Sequence, residues 1–253
     1  MWSAVRFPLL VDLSRPEDVL NYTRNFYLNT EEGISVGVWH TLPASQWEEA
    51  TGKGPEWYQE TLGDDRPVII YLHGNVGTRW DGEHAAGYHV LSLDYRGFGD
   101  STGEPSEAGL TSDALYLYHW VKQRSKDSLV CLWGHSLGTG VATNTAVKIL
   151  EQGEFKRLCL KEPSLLEYLL EENNIEFAND KNLKILTSPL LILHAEDDHV
   201  VPYHMGQQLY QISLEAQSKF STDVKVKMVS YEASRGYSHS SMYLDPNLSD
   251  VVG

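Results

Sequence analysis

The chain has 253 residues, which fits one large α/β domain or two small ones, and is 42% apolar, enough for a real core. Lys and Arg total 20 against 35 Asp and Glu, a formal charge of -15, which argues against nucleic-acid binding, since that needs a basic face. Two cysteines make no disulfide framework, and no apolar stretch approaches the ~18 residues of a membrane span.

Along the chain, the first eleven residues carry Arg6 and Pro8 within a short apolar run and do not read as a signal peptide. Asn21-Tyr22-Thr23 and Asn247-Leu248-Ser249 have the form of N-glycosylation acceptors, which matter only in a lumenal protein. Phe26 to Leu28 and Ile34 to Trp39 predict two strands around the polar turn Thr30-Glu31-Glu32-Gly33. Residues 44–66 are polar and hold Gly52, Gly54 and Pro55, so they are expected to be mostly loop.

Five apolar runs follow: Val68 to Leu72, Val90 to Leu93, Leu129 to Trp133, Leu158 to Leu160 and Leu190 to Leu193. They are near-continuous rather than alternating, as parallel strands buried on both faces are. A less regular run spans 224–231. Cys131 and Cys159 lie inside two of these runs and read as buried free thiols. Helical patterns separate several runs. One covers 112–124 behind a cap region Thr111-Ser112-Asp113, another 137–150, and a third 205–216. Strands alternating with helices predict a doubly wound, mostly parallel sheet. We find no repeats and no low-complexity linker, and expect a single domain over 1–253.

Gly134-His135-Ser136-Leu137-Gly138 closes one of these strands and opens a helix. A serine nucleophile needs such a turn to lift its hydroxyl clear of a sheet, with glycines where side chains would clash. The Leu137 backbone N–H would then sit at a helix N-terminus, where an oxyanion can be held. A hydrolase of this kind places its partners in the chain order serine, acid, histidine. Of the histidines beyond Ser136 and the acidic turn, His199 adjoins the acid, His204 opens a helix, and His239 alone follows the last strand. The acid falls among Glu196-Asp197-Asp198; Asp198 is favoured by its distance from Ala195 and Pro202, with Asp197 as the alternative. Asn75, after His73-Gly74 at a strand end, offers a second oxyanion amide.

Gly97-Phe98-Gly99 with Gly103 misses the dinucleotide-binding spacing. His89 and Asp94 sit at an odd offset on a strand and so face opposite ways. No cofactor is expected, and no cluster has metal-ligand spacing.

Four segments carry a family resemblance. They are Tyr71-Leu72-His73-Gly74-Asn75-Val76-Gly77-Thr78-Arg79, Asp94-Tyr95-Arg96-Gly97-Phe98-Gly99-Asp100-Ser101, Trp133-Gly134-His135-Ser136-Leu137-Gly138-Thr139-Gly140 and Phe177-Ala178-Asn179-Asp180. Together with residues 5–43, they resemble the α/β-hydrolase-domain-containing 12 group and its 12B paralogue, lysophosphatidylserine and monoacylglycerol lipases. The resemblance implies an α/β-hydrolase fold, a small lipid substrate, and catalytic residues at Ser136, Asp198 and His239. It also implies an endoplasmic reticulum membrane protein with a lumenal catalytic domain, an anchor upstream of this chain, and a glycan at Asn21.

Against the family pattern, the chain is shortened in the first crossover at Trp80 to Ala86, in the lid segment 163–181, and at its C-terminal helix. A nine-residue helix over 78–86 would cover ~13.5 Å where a five-residue strand needs ~17 Å. Three functions are compatible: a serine hydrolase of monoacyl lipid esters, the same chemistry on an acyl-protein thioester, or a truncated, weakly active relative acting as a non-enzyme.

Overall fold

The computed structural model describes residues 12–79, 87–153, 158–163 and 177–252. They fall into two compact units that meet in sequence between Cys131 and Leu132.

In the first unit, β1 (Thr23–Glu31) and β2 (Ile34–Thr41) form an antiparallel hairpin. Its turn is made by Gly33 at φ 75°, a conformation that costs glycine nothing. Both strands run beyond the predicted limits. β2 pairs antiparallel with β4 (His89–Leu93), which pairs parallel with β3 (Val68–Leu72), giving the order β1-β2-β4-β3. Every residue of β3 and β4 is buried, as their near-continuous apolar runs lead one to expect, with His89 and Ser92 the polar exceptions in β4. Asn21 is exposed just ahead of β1. Thr23 of its triplet is buried, its hydroxyl 2.9 Å from that of Thr41.

One expectation in this unit is borne out with an addition and one is corrected. Residues 44–66 are mostly turn and loop, but they also hold a short helix, α1 (Pro55–Thr61), with proline in the first turn and Tyr58 buried beside Leu42 and Ala50. Helix α2 (Glu107–Lys122) starts five residues before the predicted Ser112. Its cap is Ser106, whose hydroxyl accepts the Gly109 N–H at 3.1 Å. Thr111 lies inside the helix, donating to the Glu107 carbonyl at 2.8 Å, and Asp113 is spent on Arg96. The apolar period begins only at Leu110, so the pattern alone hid the first turn.

The segment 94–101 is a structural knot. Buried Asp94 accepts from the Arg79 backbone N–H and Nη1 at 2.5 and 2.6 Å, and Asp100 accepts from the same Nη1 at 2.6 Å. Arg96 donates to Asp113 and Glu31. Gly99 adopts φ 54°, and a Cβ there would stand 2.1 Å from Asp94 Oδ2, so this turn tolerates no side chain.

The second unit takes over within β5 (Val130–Gly134), and its strand order is β5-β6-β7-β8. β6 (Leu158–Pro163), β7 (Leu190–Ala195) and β8 (Val226–Tyr231) are parallel, in register from Leu190↔Val226 to Ala195↔Tyr231. The helices are α3 (Leu137–Glu151), α4 (Asn179–Leu183), α5 (Tyr203–Ser218) and α6 (Leu248–Val252). α3 is buried on most of its circumference. The Phe177-Ala178-Asn179-Asp180 segment locks α4 onto it: Phe177 fills the space a side chain at Gly140 would occupy, 2.2 Å from an ideal Cβ. Thr143 Oγ1 donates to Asn179 Oδ1 at 2.5 Å.

Cys131 is buried in β5, whereas the side chain of Cys159 lies outside the described residues. So do the shortened crossover at 80–86 and most of the lid segment, 164–176. Among the described residues, no helix is long and apolar enough to cross a membrane. None of their His, Cys, Asp and Glu side chains form a group suited to hold a metal ion.

Candidate active site

Ser136 stands between β5 and α3 at φ 53° and ψ -117°, a strained backbone for a residue with a Cβ. The turn is forced by packing. A Cβ on Gly134 would meet the Gly138 carbonyl oxygen at 2.3 Å and its carbonyl carbon at 2.5 Å, so strand and helix approach through glycines. Gly138 N–H and Thr139 N–H donate to the His135 and Ser136 carbonyls, each at 2.9 Å. Leu137 N–H takes part in neither bond and heads the helix, where the backbone dipoles favour an anion. Ser136 itself is only 5% exposed.

The three adjacent carboxylates after β7 divide their tasks. Asp198 is buried, and its Oδ2 lies 2.9 Å from His239 Nδ1. Its Oδ1 accepts the N–H groups of Val200 and Val201, both at 2.8 Å. Asp197 Oδ1 accepts the Ser238 N–H at 3.0 Å, holding the backbone just before His239. Glu196 Oε2 accepts the Ala233 N–H at 3.4 Å. The whole acidic turn is therefore bonded to the 232–239 loop. Burial works against ionisation of Asp198. The hydrogen bonds from His194, His239 and the Val201 amide, with the charge of His239, outweigh it and hold the carboxyl well below the usual range.

His239 is largely sheltered, with a side-chain exposure of 13%. Ser238 before it adopts φ 48°, a second strained residue in the site, and Gly236 supplies the left-handed turn that leads in. His199 and His204 are exposed.

Two histidines that sequence reasoning did not single out border this pair. His135 Nε2 lies 3.1 Å from the His239 carbonyl oxygen, and the two rings are 5.3 Å apart. His194, fully buried in β7, has Nε2 3.0 Å from the Val201 carbonyl oxygen and 3.5 Å from Asp198 Oδ2. The only sequence signal for His194 was a polar ring in an otherwise apolar strand.

Asn75, the other expected oxyanion donor, follows β3 in the first unit. The loop before it is well fixed: His73 Nδ1 lies 2.7 Å from the Gly74 carbonyl oxygen, and Tyr95 Oη donates to the His73 carbonyl at 3.2 Å.

Residues 67–179 match the family described as alpha/beta hydrolase fold. Lysophosphatidylserine lipase ABHD12 of Xenopus tropicalis is 46% identical over 98% of this chain and 72% of its own length. The Danio rerio protein of the same name is 44% identical over 98% of this chain and 73% of its own. Protein ABHD12B of Homo sapiens is 42% identical over 95% and 74%. The match to the Xenopus protein extends over 283 positions, more than the 253 residues of this chain, so that relative carries residues between matched segments that this chain lacks. Among solved structures, the Pyrococcus furiosus esterase Pf2001 superposes with a TM-score of 0.69, covering 100% of this chain and 96% of its own at 17% identity. Est1E from Butyrivibrio proteoclasticus, bound to ferulic acid, gives 0.64, covering 90% and 96% at 18% identity. At these identities the likeness is one of fold.

Proposed function

The chain belongs to the α/β-hydrolase family of lysophosphatidylserine lipase ABHD12 and protein ABHD12B, and on that premise we propose that it cleaves the ester of single-acyl lipids through Ser136, Asp198 and His239. As a member of that family it is a hydrolase of carboxylic esters. The finer reading takes a lysophospholipid such as lysophosphatidylserine, or a monoacylglycerol, as substrate.

The observation that carries it is the 2.9 Å contact between His239 Nδ1 and Asp198 Oδ2, in the same unit as a serine held at positive φ on a strand-to-helix turn. In this reading Asp198 accepts the His239 Nδ1–H, which leaves Nε2 as the base. His239 takes the Ser136 proton as Oγ attacks the ester carbonyl. The Leu137 N–H stabilises the oxyanion, and the proposal takes the Asn75 N–H as second donor on the strength of its motif. Collapse breaks the acyl C–O bond and expels the deacylated glycerophospho-alcohol or glycerol, whose oxygen is protonated by His239. Water, deprotonated by the same ring, then releases the fatty acid from Ser136.

The membrane setting and a glycan at Asn21 belong to the same proposal. They rest on the family, and on the exposure of Asn21 at the head of β1.

A fluorophosphonate probe should label the parent protein and leave Ser136→Ala untouched, with both giving the same melting curve. Hydrolysis of lysophosphatidylserine, monoacylglycerol, an acyl thioester and triacylglycerol, measured side by side, fixes the substrate class; the monoacyl esters should lead. A parent that neither labels nor turns over any of the four would be a non-enzyme. Labelling of Ser136→Ala equal to the parent would remove this nucleophile.

A further inference from the structure

We propose that His194 is a positioning residue that holds the Asp198 carboxylate beneath His239; this deepens the Ser136-Asp198-His239 reading and rests on it.

His194 is the penultimate residue of β7, opposite Ser230 of β8, and its side chain is fully buried. Its Nε2 faces two oxygens, the Val201 carbonyl at 3.0 Å and Asp198 Oδ2 at 3.5 Å. Neither a carbonyl nor an ionised carboxylate can donate, so Nε2 carries the hydrogen. Nδ1 is buried without a hydrogen-bond partner among the described residues. It looks onto Gly206 of α5, where a Cβ would stand 2.2 Å from it. Tyr203 meets the ring edge-on at 5.5 Å. The ring is therefore clamped with one hydrogen aimed at the acidic turn.

Asp198 needs such a clamp. Both amides that bind it, Val200 and Val201, go to Oδ1. Those bonds leave the carboxylate free to pivot and swing Oδ2 away from His239. His194 Nε2 stands 3.5 Å from Oδ2, where its N–H opposes that swing, and through its bond to the Val201 carbonyl it ties down the end of the turn that supplies one of the amides. Packing alone accounts for the contacts with Tyr203 and Gly206. It does not account for a donor aimed between a carbonyl and a carboxylate, where an aliphatic side chain would pack as well. The 3.5 Å separation from Oδ2 is long for a hydrogen bond, so the main restraint runs through Val201 and the effect is moderate.

The test uses His194→Leu, which keeps bulk and removes the donor, and His194→Gln, whose amide nitrogen reaches the place of Nε2. With a soluble p-nitrophenyl ester, kcat of the leucine variant should fall roughly 10-fold, about one lost hydrogen bond, with KM unchanged. The low-field proton resonance of the His239 Nδ1–H should shift or broaden in the leucine variant and return in the glutamine variant. Among the described residues, the titratable groups seen against His239 or its loop are Asp198, His135 and, through the Ser238 N–H, Asp197, and none is substituted. A folded leucine variant with parental kcat and parental resonance overturns the proposal.

If the leucine variant fails to fold, His194→Asn decides against His194→Gln. Asparagine places its amide near Nδ1, so glutamine must keep kcat and resonance while asparagine loses both; equal behaviour overturns the proposal. The resonance is also read in Ser136→Ala with and without His194→Leu. That arm tests His194 even if turnover is absent, so failure of the hydrolase reading and failure of this one are told apart.

Discussion

Asp197 and Asp198 are neighbours of the same chemistry with different work. Asp198 meets the imidazole of His239, and Asp197 meets only the Ser238 backbone N–H. Asp198→Asn keeps the shape but presents a donor or a weak acceptor to Nδ1, which favours the wrong tautomer. We expect kcat/KM to fall by roughly 10⁴, the size seen when the same change is made in serine proteases. Asp197→Asn retains an acceptor oxygen for Ser238 and should cost about 10-fold or less. Parallel kcat/KM measurements check this, and the reverse ranking would move the acid by one residue. His135 is the third residue to watch, because it bonds the carbonyl of His239 from within the serine motif itself. His135→Phe should lower kcat without reducing probe binding.

The turn from β5 into α3 depends on the absence of a side chain. Gly134→Ala would drive a Cβ into the Gly138 carbonyl oxygen, and backbone on both sides leaves little room to yield. The expected cost is about 1–3 kcal/mol with loss of labelling at Ser136, read by thermal melting and fluorophosphonate labelling. An alanine variant that labels at the parental rate would show the elbow to be more pliant than its packing indicates. Helix α2 gives a milder test. Ser106→Ala removes the hydroxyl that accepts the Gly109 N–H and should cost about 1 kcal/mol with activity intact, whereas Ser112→Ala should be near neutral. That contrast separates the observed start of the helix from the predicted one.

For the molecule as a whole, pH and charge matter most. His40 of β2 and His89 of β4 are buried with Nε2 and Nδ1 3.0 Å apart, and His89 Nε2 lies 3.3 Å from Asp64. Burial first, and for His40 the neighbouring His89, lowers both below 6.5. The unfolded chain then takes up protons below pH 6.5 that the folded chain refuses, so their contribution is full above 6.5 and is lost as the pH falls below it. Asp94, pushed up to about 6 by burial against the pull of Arg79, works the other way between pH 6 and its ordinary 3.8. The difference between proteins therefore isolates the histidines. In His40→Phe, the drop in melting temperature between pH 7 and pH 5 should be smaller than in the parent by at least ~2 °C, the shift that roughly 1 kcal/mol produces in a chain of this size. An unchanged drop would assign the pH sensitivity elsewhere. The net charge of -15 opposes an anionic lipid surface. Hydrolysis of lysophosphatidylserine in anionic vesicles should rise as salt shortens the Debye length towards ~8 Å, and hydrolysis in neutral vesicles should not.

The sequence by itself determined the class of fold, and it offered the candidate order serine, acid, histidine on which the proposed function rests. Near-continuous apolar runs such as Val68–Leu72 and Leu190 to Leu193 admit little but buried parallel strands, and Gly134 and Gly138 around Ser136 have a local steric meaning. It could not divide Glu196, Asp197 and Asp198 by residue chemistry alone, since all three are carboxylates a few ångströms apart. Only the pairing of β7 with β8 brings the 232–239 loop over that turn and gives each carboxylate its own donor. His194 and the Arg79 to Asp94 pair escaped for the same reason. His194 is hidden in an apolar run, Arg79 and Asp94 are fifteen residues apart, and periodicity registers neither hydrogen bond.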